Sequence, residues 1–178
     1  KVDKKYETAV EIALGGSIQN IVTDNEQTAK RMIEFLKKNK FGRATFLPLT
    51  QIRSHGGIAQ PQALNEEGVI GLADTLVMVE DKYLELAGSL LGRTLVVDHI
   101  DHGLAIARKY RQSIRIVTLE GDLINPGGSM TGGAFKNSSN LLSRRREIED
   151  LEQAVQKLRA DVAKTEQEIA ELKNNRSS

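Results

Sequence analysis

The sequence contains no cysteine and no tryptophan, and only three prolines, three tyrosines and four phenylalanines in 178 residues. Without cysteine there is no disulfide framework and no thiolate metal site, a composition compatible with a reducing cytoplasm. With so few aromatics (Tyr6, Phe35, Phe41, Phe46, Tyr83, Tyr110 and Phe135), little material is left for a base-stacking platform. No apolar run approaches the roughly 20 residues of a membrane helix, and no signal-peptide pattern opens the chain. The formal charge of +1 argues against a wholly basic nucleic-acid binder, although a local basic patch fits within it. The length allows one domain with an appendage, and Lys rather than Met at position 1 is expected of a piece cut from a longer protein.

What is present divides near residue 138. The segment 144–176 carries sixteen charged residues, eight of each sign, and neither Gly nor Pro. Ile148, Leu151, Val155, Leu158, Val162, Thr165, Ile169 and Leu172 alternate at spacings of three and four. That is the a/d seam of a coiled coil, with one polar d position at Thr165 and with Glu152, Arg159, Glu166 and Lys173 alternating in sign at e. A helix over about 140–174 is expected, roughly 50 Å long at 1.5 Å per residue. A single amphipathic helix folded back on the globule fits less well, because a docked helix shows a wider apolar face. Only one heptad segment is present, so its partner strand is expected from another chain or from sequence outside this one.

Residues before 138 read as α/β. Tyr6–Leu14 has helical spacing and is stopped by Gly15-Gly16; a strand is expected over Ile18–Thr23. Asp24 is the expected N-cap of a helix, with Gln27 in capping-box position and Ala29, Met32, Ile33 and Leu36 as its buried stripe. Lys37, Lys38 and Lys40 suit that helix's C-terminal dipole, Gly42 stops it, and Arg43–Leu47 forms the next strand, ended by Pro48. The same order recurs as helix Tyr83–Leu91, strand Thr94–Val97, helix Asp101–Gln112 and strand Ile114–Leu119. At an offset of 77, Val2, Lys5, Tyr6, Leu14 and Gly15 match Val79, Lys82, Tyr83, Leu91 and Gly92. Residues 2–47 and 79–119 therefore read as two copies of one unit, with Ala29 and Leu47 set against Ala105 and Leu119 after deletions in the second copy. Residues 49–67 read as a loop or crossover, and Gly68–Val79 as a strand or short helix whose counterpart in the first copy lies upstream of Lys1.

Several residues invite chemistry. Gly127 and Gly132 have Walker A spacing, but Gly133 and Ala134 stand where the lysine and hydroxyl should be, so nothing would reach the β/γ-phosphates or hold magnesium. The plainer reading is a turn at Asn125–Gly128 and a bare backbone at Gly132-Gly133, suited to a close approach, including one across a subunit interface. His99 and His102, flanked by Asp98 and Asp101, lack a third metal ligand of clear spacing, and Asp101 is the expected N-cap. His55 has no triad or dyad partner pattern, and GxSxG, HExxH and GxGxxG do not occur. No catalytic, cofactor or metal site is assigned. Basic residues gather at the ends of the globule, with Lys1, Lys4 and Lys5 at one and Lys136 and Arg144–Arg146 at the other. If those ends lie close, they form a surface that neutralises phosphates without reading bases.

Ala13–Gly16 with Asn20–Val22, GRATFLPL at 42–49, LLG at 90–92 with LVVD at 95–98, and VTLEGDLINPGGSMTGG at 117–133 together resemble the hinge domain of SMC (structural maintenance of chromosomes) proteins, most closely the bacterial chromosome-condensation type. The resemblance covers about residues 5–134, and the heptad tail is similar to the coiled coil that leaves such a hinge. It implies two similar α/β subdomains, here about 1–60 and 61–137 within a hinge of 1–137, followed by a coiled-coil helix over 138–178. It also implies a non-enzymatic module that homodimerises as a ring, inserted midway along an antiparallel coiled coil in a chromosome-segregation ATPase whose ATP-binding heads lie elsewhere. On the same grounds Gly127, Gly128, Gly132 and Gly133 are assigned to the dimer interface. Non-sequence-specific DNA binding near the coil junction is assigned to Lys4, Lys5, Lys136, Arg144, Arg145 and Arg146, and the setting implied is cytoplasmic and nucleoid-associated. Two other readings remain open: a nucleotide-binding enzyme domain using the 127–133 loop, and a coiled-coil adaptor whose globule binds another protein. Calorimetry with ATP and magnesium separates the first from the hinge.

Overall fold

The computed structural model describes residues 1–134 and 141–176. The chain separates into a globular unit, Lys1–Ser139, and a helical unit, Asn140–Ser178.

The globular unit is a mixed α/β structure built on two sheets. Its elements in order are α1 (Glu7–Leu14), β1 (Ile21–Thr23), α2 (Glu26–Asn39), β2 (Phe46–Pro48), β3 (Val69–Leu72), α3 (Leu84–Leu91), β4 (Thr94–Val97), α4 (Ile100–Lys109), β5 (Arg115–Thr118), β6 (Leu123–Ile124) and β7 (Met130–Thr131). Strands β1 and β2 pair in parallel as a sheet of their own. The second sheet runs β3-β4-β5-β6-β7, with β4 and β5 parallel and every other pair antiparallel.

Both halves contain helix–strand–helix–strand with a parallel strand pair, and the detail is close. Helices α1 and α3 are eight residues each, 77 positions apart, and each follows a 3₁₀ turn ending in tyrosine, Lys4–Tyr6 and Asp81–Tyr83. Tyr6 (φ −106°, ψ −6°) and Tyr83 (φ −108°, ψ 3°) share one backbone conformation. Their rings lie beneath Lys5 Nζ at 4.7 Å and Lys82 Nζ at 4.8 Å, the same cation–π contact made twice. The second helix of each half is capped one or two residues from the expected position. Asn25 Oδ1, not Asp24, accepts from Thr28 N at 2.9 Å, and His99 Nδ1, not Asp101, accepts from Asp101 N at 3.4 Å. Several cap-competent residues stand side by side at each start, and the N-cap falls on Asn25 and on His99, both with extended backbone. Aligning the caps sets Ala29 opposite Gly103 and, through the strand registers, Leu47 opposite Val117, in place of Ala105 and Leu119.

Strand β1 is shorter than expected because Gly15–Gln19 winds into a 3₁₀ turn. The run after Gly68 is both alternatives in succession, strand β3 and then the 3₁₀ turn Ala73–Leu76.

The core belongs mainly to the second half. Leu95, Val97, Ile106, Ala107, Ile114, Ile116 and Ile124 pack together with Ala63, which a 3₁₀ turn at Pro61–Asn65 carries into the centre from an otherwise aperiodic loop. Burying each aliphatic side chain contributes about 1.5–3 kcal/mol. Helix α1 buries Ala9, Val10 and Ala13 outside this cluster, against α3 and β5, and its last turn is held by Arg115, whose guanidinium donates to Ala13 O at 2.8 Å and Thr94 Oγ1 at 3.0 Å. A cation there also meets the negative end of the helix dipole.

The helical unit is one helix, α5, over Leu141–Arg176. Its seam residues, including Ile148, Leu158 and Leu172, are exposed. The polar d residue Thr165 satisfies its hydroxyl by donating to Asp161 O at 2.9 Å.

Candidate functional site

The two halves repeat in chain order and differ in completeness. In the second half, β4 is buried along its whole length because β3 flanks it on one side and β5 on the other, and β5 is flanked in turn by β6. In the first half β1 has β2 alone. Ile21 and Val22 are each 41% exposed, whereas Leu95, Val96 and Val97 of β4 are completely buried. The helix above behaves likewise: Met32 and Ile33 of α2 are about 40% exposed, while Ile106 and Ala107, at the same turn of α4, are buried. The expected buried stripe of α2 thus has only Ala29 fully covered.

The open edge of β1 is defined by hydrogen bonding. Ile21 N donates to Thr45 O and Leu49 N donates to Thr23 O, both at 2.9 Å, so residues 21 and 23 face β2. Successive peptide groups of a strand point in opposite directions, which leaves the N–H and C=O of Val22 on the outer side. It is the edge that β3 covers on β4.

Strand β7 ends the five-stranded sheet on the side opposite β3. A tight link carries β5 into β6: Thr118 Oγ1 donates to Asp122 Oδ2 and accepts from Asp122 N, both at 3.0 Å. A hairpin then turns over Asn125–Ser129, closed by Asn125 N to Ser129 O at 2.9 Å and Gly128 N to Asn125 O at 3.0 Å. Gly127 (φ +90°) and Gly128 (φ +94°) occupy left-handed backbone at this turn, and Gly127 N donates to Gln112 O at 2.8 Å. Gly132, just past β7, lies so near Asp122 that a Cβ would stand 2.6 Å from Asp122 Oδ1. Gly133 has φ +135° with nothing within 4 Å of its Cβ position. The four glycines therefore sit around β7, an end strand of the sheet, where Met130 is 52% exposed. Backbone conformation favours glycine at Gly127, Gly128 and Gly133, and the nearness of Asp122 favours it at Gly132.

This geometry does not match a phosphate loop, which needs strand, glycine turn and helix N-terminus in that order. Gly127 and Gly132 lie on either side of β7 in a hairpin. A cleft of about 630 Å³ opens between residues 55–60 and Arg93, Ser113–Arg115 and Pro126, and its lining holds no carboxylate. Its Ser113 hydroxyl donates to Tyr110 O, and Arg115 is committed to α1. His102 Nδ1 pairs with Asp98 Oδ1 at 2.7 Å, and no group of three metal-ligating side chains occurs among the described residues. Nor is any helix of the described residues long and apolar enough to cross a membrane.

A family model described as "SMC proteins Flexible Hinge Domain" matches residues 1–107. The chain belongs to the SMC hinge family. It is 44% identical over 176 residues to the chromosome partition protein Smc of Bacillus subtilis, an alignment covering 97% of this chain and 15% of that protein. A solved asymmetric dimer of the Geobacillus stearothermophilus SMC hinge domain matches with a TM-score of 0.77 at 37% identity, covering 100% of this chain and 72% of that one. The Pyrococcus furiosus Smc hinge domain with an extended coiled coil matches at 0.63 and 31% identity, covering 98% of this chain and 61% of that one. The SMC hinge fold thus accounts for both the α/β unit and the helix that follows it. The chain spans only about 15% of the curated relatives' length.

The basic residues assigned to DNA belong to both units of the chain. Lys4 and Lys5 are exposed on the 3₁₀ turn before α1, where hydrogen bonding with Tyr6 raises the Lys5 ammonium above its ordinary pKa. Arg144, Arg145 and Arg146 lie in the first turns of α5, where Arg145 Nε reaches Glu149 Oε1 at 3.3 Å. Lys136 lies outside the described residues.

Proposed function

We propose that this hinge homodimerises edge to edge, the β1 edge of each chain receiving the β7 edge of its partner. The observation that carries this reading is the bare outer edge of β1, in a fold whose own second copy covers the corresponding edge of β4 with an antiparallel strand. Because β1 and β7 are different surfaces of one chain, a two-fold pair makes the contact twice and closes as a ring. Main-chain hydrogen bonds hold such an added strand, and exposed Ile21, Val22 and Met130 supply apolar contact. Gly127 and Gly128 set the hairpin that presents β7, and bare backbone at Gly132 and Gly133 admits the partner strand. The dimeric G. stearothermophilus hinge supports homodimerisation itself.

In the whole protein this dimer would join two chromosome-partition ATPase subunits, with the ATP-binding heads on other parts of the chain. The exposed seam of α5 would pair with the returning arm of the same coiled coil. Lys4, Lys5, Lys136 and Arg144–Arg146 would hold DNA phosphates without reading sequence. The dimer is tested by Val22→Pro, which keeps the bonds of residues 21 and 23 to β2 but removes the outward donor and places a ring on the edge. Light scattering is expected to give a folded monomer at concentrations where the parent chain is a dimer. A dimer of unchanged affinity would remove β1 from the interface. Charge reversal at Arg144–Arg146 is expected to weaken DNA binding equally across sequences and flatten its salt dependence, and unchanged binding would discard that surface.

A further inference from the structure

The last turn of α2 carries a feature that neither the dimer edges nor the junction lysines and arginines use. Residues 35–43 read Phe-Leu-Lys-Lys-Asn-Lys-Phe-Gly-Arg, with four cations and no acid. Phe35 is 53% exposed and Phe41 66%, and their ring centroids lie 5.9 Å apart at 60°. Lys37, Lys38, Lys40 and Arg43 are exposed around them and make no ion pair among the described residues; Glu34 is turned to Lys30. The arrangement is fixed locally. Lys40 takes left-handed backbone (φ 56°, ψ 38°), Lys40 N donates to Lys37 O at 3.3 Å and Phe41 N to Leu36 O at 3.1 Å. This is a Schellman turn, in which the residue after the left-handed one packs back on the last helical turn.

Capping alone explains part of this. The dipole favours cations in the last turn, which accounts for Lys37 and Lys38 but not for Lys40 and Arg43 beyond it. The turn wants an apolar contact, which any aliphatic pair supplies, whereas here two aromatic rings stand half or more in water. Four like charges within seven residues also repel one another at a cost to the folded state. A polyanion with exposed π-faces relieves both: phosphates neutralise the cations, and unstacked bases cover the rings. Duplex DNA supplies the phosphates but keeps its bases stacked inside.

We infer that the C-terminal end of α2 is a single-stranded DNA site, in which Phe35 and Phe41 stack on bases and Lys37, Lys38, Lys40 and Arg43 hold the flanking phosphates. The choice of DNA rests on the chromosome-partition reading above; the site itself is separate from the junction residues assigned there.

The test uses the whole chain with fluorescein-labelled dT20, a 20-bp duplex and rU20. Phe35→Ala/Phe41→Ala is expected to lower dT20 affinity about ten-fold or more and duplex affinity less than two-fold, since stacking on an aromatic side chain is sequence-tolerant but needs an unpaired base. Replacing Lys37, Lys38 and Lys40 by Ala is expected to lower the dT20 salt slope by about 2, at roughly 0.7 for each phosphate no longer neutralised. Because the chain has no tryptophan, Phe41→Trp adds a single reporter that preserves stacking if the alanine pair fails to fold. Its fluorescence is expected to be quenched by dT20 and not by duplex. Equal loss of dT20 and duplex binding, an unquenched Trp, or tighter binding of rU20 would each overturn the inference. So would loss of dimer mass on Phe35→Ala/Phe41→Ala with dT20 binding intact, which would assign the rings to a protein contact. Charge reversal at Arg144–Arg146 with this patch intact tests the junction surface independently.

Discussion

His102 reaches from α4 to Asp98 at 2.7 Å and towards Glu67 at 3.9 Å, tying the start of β3 to the turn between β4 and α4. The hydrogen bond to Asp98 raises the imidazole above its ordinary 6.5, against the effect of burial, and the same bond lowers Asp98 below 3.8. The contribution of His102 is thus full below pH 6.5 and is lost as pH rises through its raised value; that of Asp98 is full above 3.8 and is lost as pH falls through its lowered value. Thermal melts are expected to show a stability plateau between about pH 4 and 6.5 that declines on the alkaline side, and His102→Gln should flatten that decline. An unaltered profile in the variant would show that the pair is not coupled to folding. At Arg115, whose guanidinium serves two α1 carbonyls and Thr94, Arg115→Met should lower unfolding stability by about 1.5–3 kcal/mol in denaturant melts, the range for hydrogen bonds from charged groups. The role of Arg115 is not legible in sequence, since Ala13 and Ile12 lie on another element and offer only backbone, whereas Asp98 and His102 stand four residues apart.

At the scale of elements, legibility follows length and burial. Thr94–Val97 is a strand with the expected bounds because four consecutive residues are buried on both faces. The helices follow from their periodicity, and α5 from its heptads. The two-residue strands β6 and β7 are too short to show alternation, so the sequence around the four glycines reads only as a turn. Ala63 reaches the core from a segment without period because one 3₁₀ turn needs no repeat to bury one side chain. Caps are misplaced where Asp24 and Asn25, or Asp98, His99 and Asp101, crowd one boundary. The turn after α4 carries two successive left-handed residues, Arg111 (φ 53°) and Gln112 (φ 56°), and it supports the hairpin through Gln112 O. A non-glycine residue pays about 1 kcal/mol there, so Arg111→Gly is expected to raise the unfolding midpoint without changing the mass. A drop would mean that the Arg111 side chain contributes more than its backbone strain costs.

For the molecule as a whole, the internal repeat is legible and its inequality is not. Residue patterns in 2–47 and 79–119 are alike, and nothing in Ile21-Val22 distinguishes a strand awaiting a neighbour from one that has it. Only the sheet order reveals that β4 is enclosed while β1 is open. The near-neutral charge is likewise an average: basic residues gather at the end of α2 and at the start of α5, while the remainder of α5 balances its signs. In the edge-to-edge dimer proposed above, the unfinished half is completed by a second copy of the chain. Molar mass as a function of concentration, for the parent chain and for Val22→Pro at equal helicity, tests it most directly. The expected result is a dimer for the parent and a monomer for the variant across the same range. A parent that stays monomeric, or a variant that dimerises as tightly, would contradict it.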